Sequence, residues 1–293
     1  MAKAELVADA RAILGEGPWW DARAGILYWV DIGGRRLHAH DPSGEPDRSV
    51  DLGKKPGTVV GRAAASGKPS LLIALEDGFA FVDPDSGATE PLFDPEADRR
   101  GNRFNDGKCD SRGRFWVGSM DDSESGARTG ALYRLGPDLG CERVLDGLGI
   151  SNGLAWSPDD RTMYFIDTPT RRVDAFDFDR EGGVISNRRT AFEIPQEMGF
   201  PDGMTIDEEG MLWVALWMGW GLGRWDPRGG RLLERLDLPA ARVTSCAFGG
   251  PGMDRLYVTT AGAGPGEASQ PHAGGLFACE PGLKGASSTP FAG

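Results

Sequence analysis

Pro201-Asp202-Gly203-Met204-Thr205-Ile206-Asp207-Glu208-Glu209-Gly210-Met211-Leu212-Trp213-Val214-Ala215 is the stretch that decides the fold. A polar-Gly step opens it, a short strand follows, a charged turn closes on Gly210, and an apolar strand ends it. Glycine reaches the positive φ that tight turns need, so Gly203 and Gly210 mark bends. The apolar run over 211–216 has the length of a buried strand.

The unit recurs. Asn105-Asp106-Gly107-Lys108-Cys109-Asp110-Ser111-Arg112-Gly113 leads into Arg114-Phe115-Trp116-Val117. Ser151-Asn152-Gly153-Leu154-Ala155-Trp156 leads into Met163-Tyr164-Phe165-Ile166-Asp167. Gly15-Glu16-Gly17-Pro18-Trp19-Trp20-Asp21 leads into Ile26-Leu27-Tyr28-Trp29-Val30-Asp31. Weaker copies begin at Thr244 and at Thr58. The spacing of about 43 to 50 residues is that of a four-stranded propeller blade. Six units account for the chain. The expected fold class is therefore all-β, a six-bladed β-propeller of four-stranded antiparallel blades. A single domain over residues 1–293 is expected, because blades cannot bury their faces singly.

Each apolar strand is followed by an alternating strand and an acidic turn, as at 37–44, 79–87, 173–179 and 222–230. Asp-Pro followed by Gly is turn chemistry. Residues 4–14 read as a first strand that closes the ring beside 274–278. The stretch 193–199 reads as a short turn or loop. The polar loop 122–129 and the Gly/Ala/Pro-rich loop 262–273 either shape a binding site or are idle surface.

The net charge of −12 argues against a nucleic-acid partner, since phosphate binding needs a basic face. The four cysteines, Cys109, Cys141, Cys246 and Cys279, form no Cys-x-x-Cys pair, which points to reduced, buried thiols. The start has no apolar core of signal-peptide length and no run approaches a membrane span, so no membrane partner and a cytoplasmic location are expected. Oligomeric state is not readable.

Several chemistries are absent. There is no Gly-x-Ser-x-Gly elbow, and three histidines leave few candidates for a serine triad. His38 and His40 share one face of a strand and read as surface-strand residues rather than a metal pair. Asp177-x-Asp179-x-Glu181-Gly182 imitates an EF-hand start, but position twelve is Arg188, so it reads as a hairpin turn. Gly219-x-Gly221-x-Gly223 lacks the dinucleotide spacing.

The repeat openings carry polar residues: Glu16, Asn105, Asn152 and Asp202. Equivalent positions of successive blades point at one axis, so distant residues converge there. Glu16, Asn152 and Asp202 offer two carboxylates and an amide oxygen, hard donors that suit a divalent cation. The alternative is that Asn-Gly and Asp-Gly only form turns. Glu16 favours the cation, because Glu is not a turn former.

The runs Asn102-Arg103-Phe104-Asn105-Asp106-Gly107-Lys108, Ser151-Asn152-Gly153-Leu154-Ala155-Trp156-Ser157 and Ile185-Ser186-Asn187-Arg188-Arg189 resemble the SMP-30/gluconolactonase family, which includes regucalcin. So do Pro201-Asp202-Gly203-Met204, Leu212-Trp213-Val214-Ala215 and Thr244-Ser245-Cys246-Ala247-Phe248-Gly249-Gly250. The resemblance implies a six-bladed propeller and metal-dependent hydrolysis of a sugar lactone, a small-molecule substrate, in carbohydrate catabolism. It implies Glu16, Asn152 and Asp202 as ligands of one divalent ion (Ca, Zn, Mn, Mg or Fe(II)), and Asp202 as catalytic acid/base. It implies Arg103 and Asn105 as substrate-binding. An acidic substrate contact beyond Gly118-Ser119-Met120 is not assigned among Asp121, Asp122 and Ser123. Trp217 and Trp220 either wall the pocket or pack elsewhere. Two other functions fit the same scaffold: an organophosphate or aryl esterase, and a non-catalytic calcium-binding regulator.

Overall fold

In a computed structural model that describes residues 3–63, 70–267 and 269–293, twenty-four strands pair into six four-stranded antiparallel sheets. Strand β1 (Glu5–Ala8) opens the chain. The first blade is β2 (Gly15–Asp21), β3 (Ile26–Asp31), β4 (Arg36–His40) and β5 (Arg48–Asp51). The second is β6 (Pro56–Gly61), β7 (Leu71–Leu75), β8 (Gly78–Val82) and β9 (Thr89–Phe93). The third is β10 (Asn102–Cys109), β11 (Phe115–Asp121), β12 (Gly130–Leu135) and β13 (Cys141–Leu148). The fourth is β14 (Ser151–Trp156), β15 (Thr162–Asp167), β16 (Arg172–Asp179) and β17 (Val184–Glu193). The fifth is β18 (Phe200–Ile206), β19 (Leu212–Trp217), β20 (Gly221–Asp226) and β21 (Arg231–Asp237). The sixth is β22 (Val243–Gly249), β23 (Arg255–Thr260) and β24 (Leu276–Cys279), completed by β1. This is the six-bladed propeller expected from the repeat.

The ring closes through β1, where Glu5 pairs with Ala278 and Leu6 with Phe277. The strand ends at Ala8, earlier than the expected span of 4–14, and Arg11 takes a left-handed φ of 52° beyond it. Leu14 rejoins the same sheet by a bridge to Ala261.

Burial falls from the axis outward. Every residue of β2, β6, β14 and β22 is buried, whereas β5, β9 and β17 are largely exposed. The second strands carry the apolar runs, as in β7 and β19, the inner strands bury glycines and polar residues beside the axis, and an outer strand needs polar residues on its open face. Trp29, Trp116 and Trp213 are buried in the blades, and the last two donate their indole N–H to Asp110 (2.9 Å) and Asp207 (3.1 Å). After β24 the chain bridges Gly285 to Asp207 in blade five and then Phe291 to Arg62 beyond blade two, with Phe291 fully buried.

The EF-hand imitation is the turn between β16 and β17, closed by Gly183 N–H donating to Asp179 O at 2.7 Å. A 3-10 turn (Gln196–Met198) occupies the stretch read as a loop. His38 stacks on Trp29 at 4.0 Å, with burial pulling its imidazole down to about 4, while His40 Nδ1 meets Asp47 Oδ1 at 2.6 Å. The two histidines therefore serve different neighbours. All four cysteines are free thiols; Cys109, Cys246 and Cys279 are buried and Cys141 is half-buried. Among the described residues no helix is long and apolar enough to cross a membrane.

Candidate active site

Each innermost strand is broken by a register shift next to the axis. The shifts lie between Glu16 and Trp19, Pro56 and Thr58, Phe104 and Gly107, Asn152 and Leu154, Pro201 and Met204, and Val243 and Ser245. A bulge re-aims side chains, and here it does so at the same level of six blades. A glycine follows in five of them because the inner strands approach too closely for a Cβ. A Cβ on Gly57 would meet the Phe104 carbonyl carbon at 2.6 Å, and one on Gly203 would meet Ser245 Oγ at 2.2 Å.

All five residues singled out in the sequence line one cavity of about 290 Å³: Glu16, Arg103, Asn105, Asn152 and Asp202. All five are buried. Trp217 lines the same cavity and carries Arg242 over its ring at 5.0 Å. Trp220 does not; it is 45 % exposed at a left-handed φ of 58°.

A hydrogen-bonded chain orients the amides. Arg103 Nη1 donates to Asn105 Oδ1 (2.6 Å), and Asn105 Nδ2 donates to Asn152 Oδ1 (3.0 Å) and to Ser151 O (2.8 Å). Asn152 Nδ2 donates to Thr168 Oγ1 (2.8 Å), which donates to Pro201 O (2.8 Å). With Nδ2 committed, Asn152 Oδ1 is the atom with acceptor capacity left. Asn105 is thus a connector as much as a contact. Arg103 is held from behind by Asp122 Oδ1 at 3.1 Å, and Asp122 also binds Lys55 Nζ at 2.6 Å.

Buried carboxylates elsewhere in the blades are richly supplied with donors. Asp207 accepts from Met211 N, Trp213 Nε1 and Arg224 Nε; Asp110 from Arg114 Nε and Trp116 Nε1. Glu96 accepts from Ser119, Tyr133 and Asn102. The axial acids differ. Glu16 accepts from Gly17 N (2.9 Å) and Asp106 from Gly107 N (2.7 Å), each its own neighbour. Among the described residues no Lys, Arg or His side-chain nitrogen comes within 4.0 Å of a carboxylate oxygen of Glu16, Asp106 or Asp202. Burial first, then the charges of Asp202 and Asp106, hold the Glu16 carboxyl well above the usual range. Burial and then Asp106 do the same to Asp202, with Arg103 opposing.

Such acids fit a cation. Two carboxylates raised by their own desolvation and repulsion, beside an amide oxygen, form a hard-oxygen set that lacks positive charge. Among the described residues no group of three or more His, Cys, Asp or Glu side chains is arranged as a metal centre; Glu16, Asp202 and the Asn152 amide are the oxygen donors that share the cavity.

Sequence reasoning missed three participants. Thr168 sits in a 3-10 turn (Thr168–Thr170) with no motif around it. Glu124 lines the cavity from the loop 122–129, one residue past the three considered. Asp121 instead binds Ser123 and Ser125. The third is Asp106. It shares the β10 bulge with Asn105, and its charge acts on Glu16 and Asp202, while Asn105 lines the cavity beside Glu16, Asn152 and Asp202 as the sequence aligns it.

Residues 14–262 match the SMP-30/Gluconolactonase/LRE-like region family. YvrE of Bacillus subtilis (strain 168), named as a candidate sugar lactone lactonase, is 40% identical over 293 residues, with 99% of each chain covered. A luciferin-regenerating enzyme structure superposes with a TM-score of 0.93 at 33% identity, covering 100% of both chains. The calcium-binding protein regucalcin of Agrobacterium tumefaciens strain C58 superposes with a TM-score of 0.91 at 25% identity, covering 99% of this chain and 97% of its own. With the repeat, the bulged inner strands and the axial acids already in place, these matches make the chain a member of the SMP-30/gluconolactonase/LRE-like family.

Proposed function

We propose that this protein hydrolyses a sugar lactone to the open hydroxy acid, with a divalent cation held by Glu16, Asn152 and Asp202. The observation that carries the proposal is the pair of buried acids, Glu16 and Asp202, open to a cavity and without a cationic side chain in contact. The family description and the lactonase name carried by YvrE support the substrate class.

The cation, when bound, supplies Lewis-acid stabilisation of charge on the lactone carbonyl. The rest falls to the chain. Ring opening adds a water oxygen to the carbonyl carbon and breaks the ring C–O bond. Asp202 is suited to take the proton from that water and return it to the departing ring oxygen, since its carboxylate is buried at the wall of the cavity that would hold the lactone. Arg103 has Nη1 committed to Phe104 O and Asn105 Oδ1 and Nε facing Asp122. Its Nη2 is left to hold a sugar hydroxyl. Glu124 at the cavity wall is suited to accept a second one.

The test is proton release from aldonolactones by wild type and Asp202→Asn, each with and without chelator, after subtracting spontaneous opening. Loss of rate by about a hundredfold or more in the variant, and on chelation, is expected. Undiminished rates in both would remove the proposal. A second reading is favoured by the apolar wall of Met120, Ile150, Phe200 and Trp217: hydrolysis of aryl esters or phosphotriesters at the same cation. It requires those substrates to outrun lactones in a side-by-side panel.

A further inference from the structure

The bulge of β10 sets Asn105 and Asp106 side by side between Phe104 and Gly107. Asn105 lines the cavity and bonds Asn152 Oδ1 at 3.0 Å, and Asp106 is the acid next to it. It repeats the local geometry of Glu16, with its carboxylate accepting from the N–H of the glycine that follows. It is 5 % exposed.

Asp106 lines neither axial cavity. Glu16, Asn152 and Asp202 line the one described above, while Lys108 lines a separate cavity of about 180 Å³. Asp106 feels both sides: its charge acts on Glu16 and Asp202, and the Lys108 ammonium is its main attractive neighbour. Lys108 Nζ is tied to Met204 O at 2.8 Å, two residues along β18 from Asp202. A buried acid and a buried ammonium thus sit at fixed places behind the ligand set, where low polarisability makes their fields long-ranged.

We propose that Asp106 is a positioning residue of the cation site, and that Asp106 and Lys108 act as opposed fixed charges which set how tightly the oxygen donors hold a cation. The inference rests on the proposed cation at Glu16, Asn152 and Asp202, and deepens it. Asp106 strengthens cation binding without touching the ion, and Lys108 restrains it.

The test is calorimetric titration of Mn²⁺ into metal-stripped wild type, Asp106→Asn and Lys108→Met, with folding verified by circular dichroism. Asparagine keeps an oxygen for the Gly107 N–H, and methionine keeps the lysine's length. Asp106→Asn is expected to raise the Kd by about tenfold or more, in the range seen when partners behind metal ligands are lost. Lys108→Met is expected to lower it. A purely structural role moves both variants the same way, so weakening in both overturns the inference, as does an Asp106→Asn Kd within twofold of wild type. If Asp106→Asn does not fold, Lys108→Met decides: a Kd equal to or above wild type overturns it. Failure of wild type itself to bind Mn²⁺, Ca²⁺ or Zn²⁺ sinks the cation reading, a result distinct from either variant's.

Discussion

Thr168→Val isolates the hydrogen-bond chain from the ligands it orients. The hydroxyl takes the Asn152 Nδ2 hydrogen bond and gives one to Pro201 O, both at 2.8 Å. Valine has the same shape and neither capacity, so an amide N–H and a carbonyl lose their partners. A buried group left so costs about 1–3 kcal/mol. Thr168 is half-buried, which favours the low end, about 1 kcal/mol each and about 2 together. At about 2–4 °C per kcal/mol for a large domain, the cation-free protein should melt about 4–8 °C lower. The effect on the cation is separate. Once Nδ2 is unpinned, the Asn152 amide can turn its NH₂ toward the channel, and the Mn²⁺ Kd should rise by about tenfold. Thermal melts with and without Mn²⁺, with calorimetric titration, measure both quantities. A lowered melting point with a Kd within twofold of wild type would refute the reasoning, because the chain would then hold the blades together without orienting a ligand.

Two further outcomes follow from burial and charge. In the cation-free protein Glu16 and Asp202 titrate above their unfolded values, so the folded chain holds more protons than the unfolded one. The stability they contribute is complete below about pH 4 and is lost as the pH climbs toward their raised values. Metal-stripped wild type should therefore gain more stability between pH 7 and pH 5 than Glu16→Gln/Asp202→Asn does; parallel melting curves across that range would contradict it. Phe291 is fully buried and is flanked by backbone bonds from Phe291 N to Gly61 O (2.7 Å) and Ala63 N to Phe291 O (2.7 Å). Phe291→Ala should cost about 3–5 kcal/mol in denaturant unfolding, and a loss under 1 kcal/mol would show that the tail is not an anchor.

The fold was legible in sequence because a blade is a local object. Its strands are consecutive, its turns carry Gly, Asp-Pro and Asn-Gly at fixed offsets, and its period repeats six times. Glu16, Asn152 and Asp202 were legible for a related reason, since a ring converts equivalent repeat positions into neighbours. The N-terminal strand's partner was also foreseeable, because a ring of whole blades must close on itself, although its end at Ala8 was not. What surrounds the acids required the tertiary structure. That Asp106 shares a bulge with Asn105 beside the candidate ligands follows from a break in the ladder, and a bulge leaves no fixed mark in composition. Thr168 and Glu124 reach the cavity from loops whose path is set by packing, not by period. What separates a strut from a candidate ligand among the buried aspartates is their donors: Asp207 and Asp110 are surrounded by N–H groups from their own blades, whereas Asp202 feels the charge of Asp106. Sequence dictates what each strand buries; the meeting of strands nearly two hundred residues apart dictates which charges are left unanswered.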